Sequence, residues 1–264
     1  MPRERSSLTA NNGAPRGRGF RRGGYTNPIV HKQAGYHRRG RGGGRGRGGN
    51  GHGHDGRRAQ FHTCTFEGPT SGWGQPSIMD ETKLEVPNIG TICFGRDFSV
   101  RDEHLDIIRS RPGVASYLRE LSLGNSDTGC GGAISDEGIV NLAKACPNLV
   151  KVSLDAATNL TDAALQGICE ACPRLKILYI MGHDKRDGEI HGSSLKFLAD
   201  HPEVAPELKE LDLHDQPHYK FSKIAEELTL KRQGLEIRTG KTATSDWGRD
   251  EQNVTVNGKT SSRW

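Results

Sequence analysis

No stretch of this 264-residue chain approaches the roughly 18 continuous apolar residues that a membrane span needs, so no membrane attachment is expected. An apolar signal core is missing as well. Met1-Pro2-Arg3-Glu4-Arg5 leads into polar residues and glycines, which argues against secretion, and the Asn159-Leu160-Thr161 and Asn253-Val254-Thr255 sequons then read as chance matches. The six cysteines, Cys64, Cys93, Cys130, Cys146, Cys169 and Cys172, follow no metal pattern and read as free thiols behaving as small hydrophobes. Cys169 and Cys172 spell C-x-x-C, but no second such pair completes a zinc site. Gly129-Cys130-Gly131-Gly132 lacks the Lys-Ser or Lys-Thr ending of a phosphate loop. His52, His54 and His62 with Asp55 lie in or beside a glycine tract that fixes no geometry, and His183, Asp184, His191, His214, Asp215 and His218 have the spacing of ordinary polar loops. No metal and no cofactor is expected. Nor do these residues assemble a nucleophile, base and oxyanion donor by motif, which makes an enzyme, a metal-dependent one included, a distant alternative.

The charge is divided unequally. Residues 1–58 hold 13 Arg, one Lys, one Glu and one Asp, a formal charge of +12; the whole chain carries +5, which leaves −7 on the remainder. Residues 13–56 are mostly Gly and Arg, with Arg-Gly-Gly at Arg22, Arg41 and Arg47 and Arg-Gly at Arg16, Arg18, Arg39 and Arg45. With so little to bury, such a segment cannot offset its conformational entropy, and a disordered basic arm over 1–58 is predicted. Guanidinium groups pair with phosphate and stack on bases, and Phe20, Tyr25 and Tyr36 place aromatic rings among them. The arm resembles the RGG boxes of RNA-binding proteins, which implies RNA contact and arginine methylation. Candidate RNA-binding residues are Arg16, Arg18, Phe20, Arg22, Tyr25, Tyr36, Arg39, Arg41, Arg45 and Arg47. A solubilising tail or a nuclear-import signal is the alternative.

The acidic remainder is dominated by a repeat. Ile134-Ser135-Asp136, Ile139, Leu142, Ala145-Cys146-Pro147, Leu149, Val152 and Leu154 recur 26 residues later as Leu160-Thr161-Asp162, Leu165, Ile168, Ala171-Cys172-Pro173, Leu175, Leu178 and Ile180. This period with L-x-x-L-x-L spacing reads as a leucine-rich repeat. Looser copies start strands at Ile89, Ile92 and Phe94, at Leu118, Leu121 and Leu123, and at Leu208, Leu211 and Leu213. Return helices are predicted through Leu105, Ile107 and Ile108, Ile139 and Leu142, Leu165 and Ile168, Leu195 and Leu198, and Ile224 and Leu228, with a break at Pro112 and a closing strand at Leu235-Glu236-Ile237. Ser135-Asp136 and Thr161-Asp162 are helix-start signals. The expected fold class is α/β: a solenoid whose parallel strands line one side and whose helices line the other.

The Cys-Pro-x-Leu junctions and the Leu-Thr-Asp helix start resemble the cysteine-containing leucine-rich repeats of F-box/LRR and related RNI-like (ribonuclease-inhibitor-like) proteins over residues 89–237. That resemblance implies a horseshoe arc of about five units and, through the F-box branch, a substrate receptor of an SCF-type ubiquitin ligase with a Skp-type adaptor. Arg111-Pro112 and His201-Pro202 stand where the best units have Cys-Pro, and Ala157 stands where the family often has a second cysteine. No F-box is found: residues 59–88 are rich in Gly, Pro, Thr and Ser, with little helical periodicity, and read as a linker or N-terminal cap. Residues 238–264 read as a polar C-terminal tail, with capping of the last repeat by Lys241 to Trp264 as the alternative.

In an L-x-x-L-x-L strand the residues between the leucines face the concave side. The candidate protein-binding set is Glu120 and Ser122; Lys151, Ser153 and Asp155; Ile177, Tyr179 and Met181; and Glu210, Asp212 and His214. Ile177, Tyr179 and Met181 would put an apolar, aromatic strip amid polar neighbours, unless the loop 182–192 covers that strand as core. The expected function is a non-enzymatic adaptor in the nucleus or cytoplasm, with an unknown protein partner on this face and RNA on the arm.

Overall fold

Short strands form where a leucine or β-branched residue alternates with a polar one, because successive side chains then reach opposite faces. The computed structural model describes residues 60–68, 77–125, 128–217, 221–245 and 248–260. Nine strands stand among them: β1 (His62–Phe66), β2 (Ile89–Phe94), β3 (Glu120–Leu123), β4 (Lys151–Leu154), β5 (Ile177–Ile180), β6 (Glu210–His214), β7 (Glu236–Ser245), β8 (Gly248–Val256) and β9 (Lys259–Thr260). They form one open sheet in chain order. The pairs from β1 through β7 are parallel, and β7, β8 and β9 pair antiparallel.

Between strands the chain returns through helices: α1 (Asp102–Arg109) and the single turn α2 (Pro112–Ala115), then α3 (Asp136–Ala145), α4 (Asp162–Ala171), α5 (Ser193–Asp200) and α6 (Ser222–Lys231). Successive helices pack side by side, α1 on α3, α3 on α4, α4 on α5 and α5 on α6. Leu121, Leu123, Val152, Leu154, Leu178, Ile180, Leu211 and Leu213 from the strands are buried in one continuous core with Leu105, Ile108, Ile139, Leu142, Leu165, Ile168, Leu195, Leu198 and Leu228 from the helices. At the N-terminal end the core is aromatic, with the rings of Phe66 and Phe94 stacked at 5.3 Å and Phe98 against both. Each turn removes mainly apolar area from water, which is the principal favourable term in such a stack.

Helix starts are built twice over. Ser135 Oγ accepts from the Gly138 N–H at 3.1 Å and Thr161 Oγ1 from the Ala163 N–H at 3.1 Å, as N-cap residues do. The acidic residue that follows each cap reaches forward to the next turn. Asp102 accepts from the N–H and hydroxyl of Ser135 at 2.9 and 2.7 Å, and Asp136 from those of Thr161 at 2.8 and 2.6 Å. Asp162 takes four such bonds, from the N–H groups of His191, Gly192 and Ser194 and the Ser194 hydroxyl. Helix α5 has no side-chain cap of its own, since Gly192 (φ 95°) precedes it; the carboxylate of the preceding turn takes that role.

Helix α1 ends at Arg109, ahead of the break expected at Pro112, and Pro112 opens the separate turn α2 at its first position, where a missing N–H costs nothing. Of the two readings of residues 59–88, the linker is corrected: the described part contributes β1 and a 3-10 turn (Glu81–Glu85) at the N-terminal edge of the sheet, where β1 pairs parallel to β2 with an irregularity between His62 and Thr63. The closing strand expected at 235–237 runs to Ser245, and the stretch beyond it, expected as a tail or a cap on the last repeat, folds back as β8 and β9 and continues the sheet past that repeat. The arm over 1–58 lies outside the described residues. Among the described residues no helix is long and apolar enough to cross a membrane.

Candidate protein-binding face

The face of the sheet opposite the helices is arranged in rows set by the strand register. One row runs Thr63, Thr91, Glu120, Lys151, Ile177, Glu210, Glu236; the next runs Thr65, Cys93, Ser122, Ser153, Tyr179, Asp212, Arg238. Neighbouring members of a row stand about 4.8 Å apart, the spacing between paired strands. Every member is exposed or half-buried, while the residues between them along each strand are buried. Asp155 and Met181 follow β4 and β5 and are half-buried too.

Tyr179 sits on the fifth of the nine strands and is tied to both neighbours. Its hydroxyl donates to Glu210 Oε2 at 2.7 Å, and Lys151 Nζ stands 5.9 Å from its ring centroid. Burial, with Glu210 and Asp212 close by, pushes the phenol well above its ordinary range, so it remains a neutral donor at any working pH. Along β7, Arg238 Nε lies 2.5 Å from Glu236 Oε1, and its charge is further supported by Asp212 and Glu210 on the adjacent β6. Tyr179→Phe removes one half-exposed hydrogen bond and keeps the ring, so urea unfolding should show a loss of only about 1 kcal/mol.

Neither a family model nor a curated protein matches this chain. The reading of this face therefore stands on its geometry.

Of the residues expected on it, Glu120, Ser122, Lys151, Ser153, Ile177, Tyr179, Glu210 and Asp212 lie in the two rows, with Asp155 and Met181 at their upper margin. The loop 182–192 docks on the following turn, through Gly188 N–H to the Asp215 carbonyl and Ile190 N–H to Gln216, and leaves Ile177, Tyr179 and Met181 half-buried rather than covered. His214 is a correction: it is buried, only 5% exposed. Its Nδ1 lies 2.5 Å from Asp212, and β7 runs alongside its backbone with His214 opposite Gly240. Missed in the sequence were Thr63 and Thr65 on β1, Thr91 and Cys93 on β2, and Glu236 and Arg238 on β7. The alternation Glu236-Ile237-Arg238 carried the signal for the last pair. The candidate RNA-binding residues between Arg16 and Arg47 lie outside the described residues.

The remaining polar clusters have local partners. His183 Nδ1 pairs with Asp184 at 2.7 Å, and His191 with Glu189 at 3.5 Å; Asp215 accepts from the Thr242 N–H at 2.7 Å, and His218 is not among the described residues. Among the described residues no group of three or more His, Cys, Asp or Glu could hold a metal ion. Cys146, Cys169 and Cys172 are buried, and burial pushes each thiol up to about 12. They are poor nucleophiles and fill space between turns.

Proposed function

We propose that this chain is a non-enzymatic adaptor: a leucine-rich-repeat arc of the ribonuclease-inhibitor-like kind that holds a protein partner on its open sheet face, joined to an Arg/Gly arm that contacts RNA, acting in the nucleus or cytoplasm. The observation that carries the reading is the half-exposed strip Ile177, Tyr179 and Met181 at the middle of an otherwise polar face. Aromatic and large apolar groups ringed by polar ones are where protein interfaces concentrate their binding energy. The RNA part rests on the composition of residues 1–58. In the ligase alternative an F-box would be sought ahead of the repeats, but the described part of 59–88 is a strand and a 3-10 turn built onto the sheet.

Affinity purification of the intact protein, with and without nuclease, beside Tyr179→Ala/Met181→Ala, tests this. The expected result is nuclease-sensitive ribonucleoproteins together with a nuclease-resistant protein partner that the double variant loses. A nuclease-resistant Skp-type adaptor and cullin would move the reading to a ubiquitin-ligase receptor. A partner retained in full by the double variant would overturn the assignment of the face.

A further inference from the structure

The face described above carries an excess of negative charge, and the excess is concentrated beside its one exposed aromatic strand. Among the described residues of β3 through β7 and their margin, carboxylates from Glu120, Asp155, Glu210, Asp212 and Glu236 face it against two cations, Lys151 and Arg238. Three of the five, Glu210, Asp212 and Glu236, surround the Arg238 guanidinium. Asp212 is the cross-strand partner of Tyr179, and Glu210 accepts its hydroxyl. A phosphate backbone would be repelled here. A planar cation would find a ring to stack on and carboxylates at its edge.

We propose that the partner presents an extended arginine-rich peptide segment to this face, with one guanidinium stacked on Tyr179 and forked onto Glu210 and Asp212. The proposal rests on the reading of the face as a partner-binding surface and names the chemistry of what binds. Arginine is favoured over lysine because only a planar fork can stack and pair with carboxylates at once. The extended form follows from spacing. Glu120 on β3 stands three strands from Glu210 on β6, about 14 Å, and an extended peptide crossing the strands puts same-face side chains i and i+4 about 13 to 14 Å apart. Lys151 lies between the two glutamates and opposes a cation at i+2. The preferred pattern is therefore arginine, three residues with an uncharged middle one, and arginine.

Arg18, Phe20 and Arg22 of this chain's own sequence have that pattern, as do Arg41, Gly43 and Arg45. A synthetic peptide copying residues 13–30 is accordingly the probe, added in trans to the full 264-residue protein and followed by fluorescence anisotropy at low ionic strength. Saturable binding is expected, weakened about tenfold by Glu210→Gln/Asp212→Asn and unchanged by Glu137→Gln on the helical side. Replacing the arginines matched to Arg18 and Arg22 by lysine should weaken binding severalfold on the unaltered protein, a result independent of how the protein variant folds. Absence of saturable binding, equal loss in Glu137→Gln, or equal affinity for the arginine and lysine peptides each overturns the proposal. If it is overturned while Tyr179→Ala/Met181→Ala still loses its cellular partner, the adaptor reading survives and only the arginine chemistry is wrong; if both tests fail, the face itself is misassigned.

Discussion

Asp162→Ala should destabilise the protein by about 3 kcal/mol in urea unfolding, the largest loss expected from any single carboxylate in the array. The side chain touches no partner surface. It accepts four hydrogen bonds from the start of α5, a helix that has Gly192 in place of a capping side chain, so its removal leaves three backbone N–H groups without an acceptor. Asp102→Ala and Asp136→Ala, with two bonds each, should cost about half as much. The effect carries a pH signature. Burial alone would raise the Asp162 carboxyl, but the hydroxyl and N–H of Ser194 and the N–H groups of His191 and Gly192 outweigh it and hold the group below the usual carboxylate range. A depressed folded value means that the contribution is present above the unfolded value of about 3.9 and is lost as pH falls through the folded one. Wild-type stability should therefore fall more steeply than that of Asp162→Asn below about pH 4, and parallel pH profiles would sink the assignment.

Arg232→Ala is expected to cost a comparable amount, about 3 kcal/mol, at the other end of the same helix. Arg232 follows α6, and its guanidinium donates to the carbonyls of Leu198 (3.1 Å), His201 (2.7 Å), Val204 (2.8 Å) and Ala205 (3.3 Å), where α5 ends and the chain turns through Ala205 at φ 44°. Carbonyls at a helix C-terminus carry partial negative charge, so one planar cation bridges the last turn of α5 to the turn that follows it, adding to the backbone bonds that the His201 and Ala205 carbonyls already accept, and opposes the helix dipole. Burial lowers the Arg232 pKa from a very high starting point, which leaves the group charged throughout the stable range. Arg232→Lys should recover less than half of the loss, because an ammonium cannot span the same four oxygens. Hydrogen exchange at the amides of residues 201–208 gives the local readout: faster exchange there than elsewhere is expected in both variants, and uniform acceleration would assign the loss to general destabilisation instead.

Much of the fold was legible because its determinants are local and periodic. The 26-residue offset fixed β4, β5, α3 and α4, and Ser135 and Thr161 marked their helix starts, since a cap needs only its own turn. What escaped the sequence depends on partners one turn away. Asp102, Asp136 and Asp162 look like ordinary acidic first-turn residues, and nothing nearby says that each completes the next helix. Arg232 is equally silent, because its four acceptors precede it by 27 to 34 residues. β1 was hidden by its small polar residues, Thr63 and Thr65, in a strand that exists through pairing with β2. On the candidate face the alternation of side chains was readable from β3 to β6. The burial of His214 was not, because it is imposed by β7 running beyond the point where the repeat stops.

The forward reach of the three aspartates gives the array a direction. Asp102, Asp136 and Asp162 each supply an acceptor on which the following helix, α3, α4 or α5, begins. A turn lost from the C-terminal side leaves a carboxylate facing water, which hydrates it cheaply; a turn lost from the N-terminal side takes away an acceptor on which the next helix start was built. Synthesis delivers turns in that same order, so α3, α4 and α5 would each emerge to find an acceptor for its first turn already in place. Chains shortened from the two ends should therefore behave as different molecules even when they retain the same number of turns.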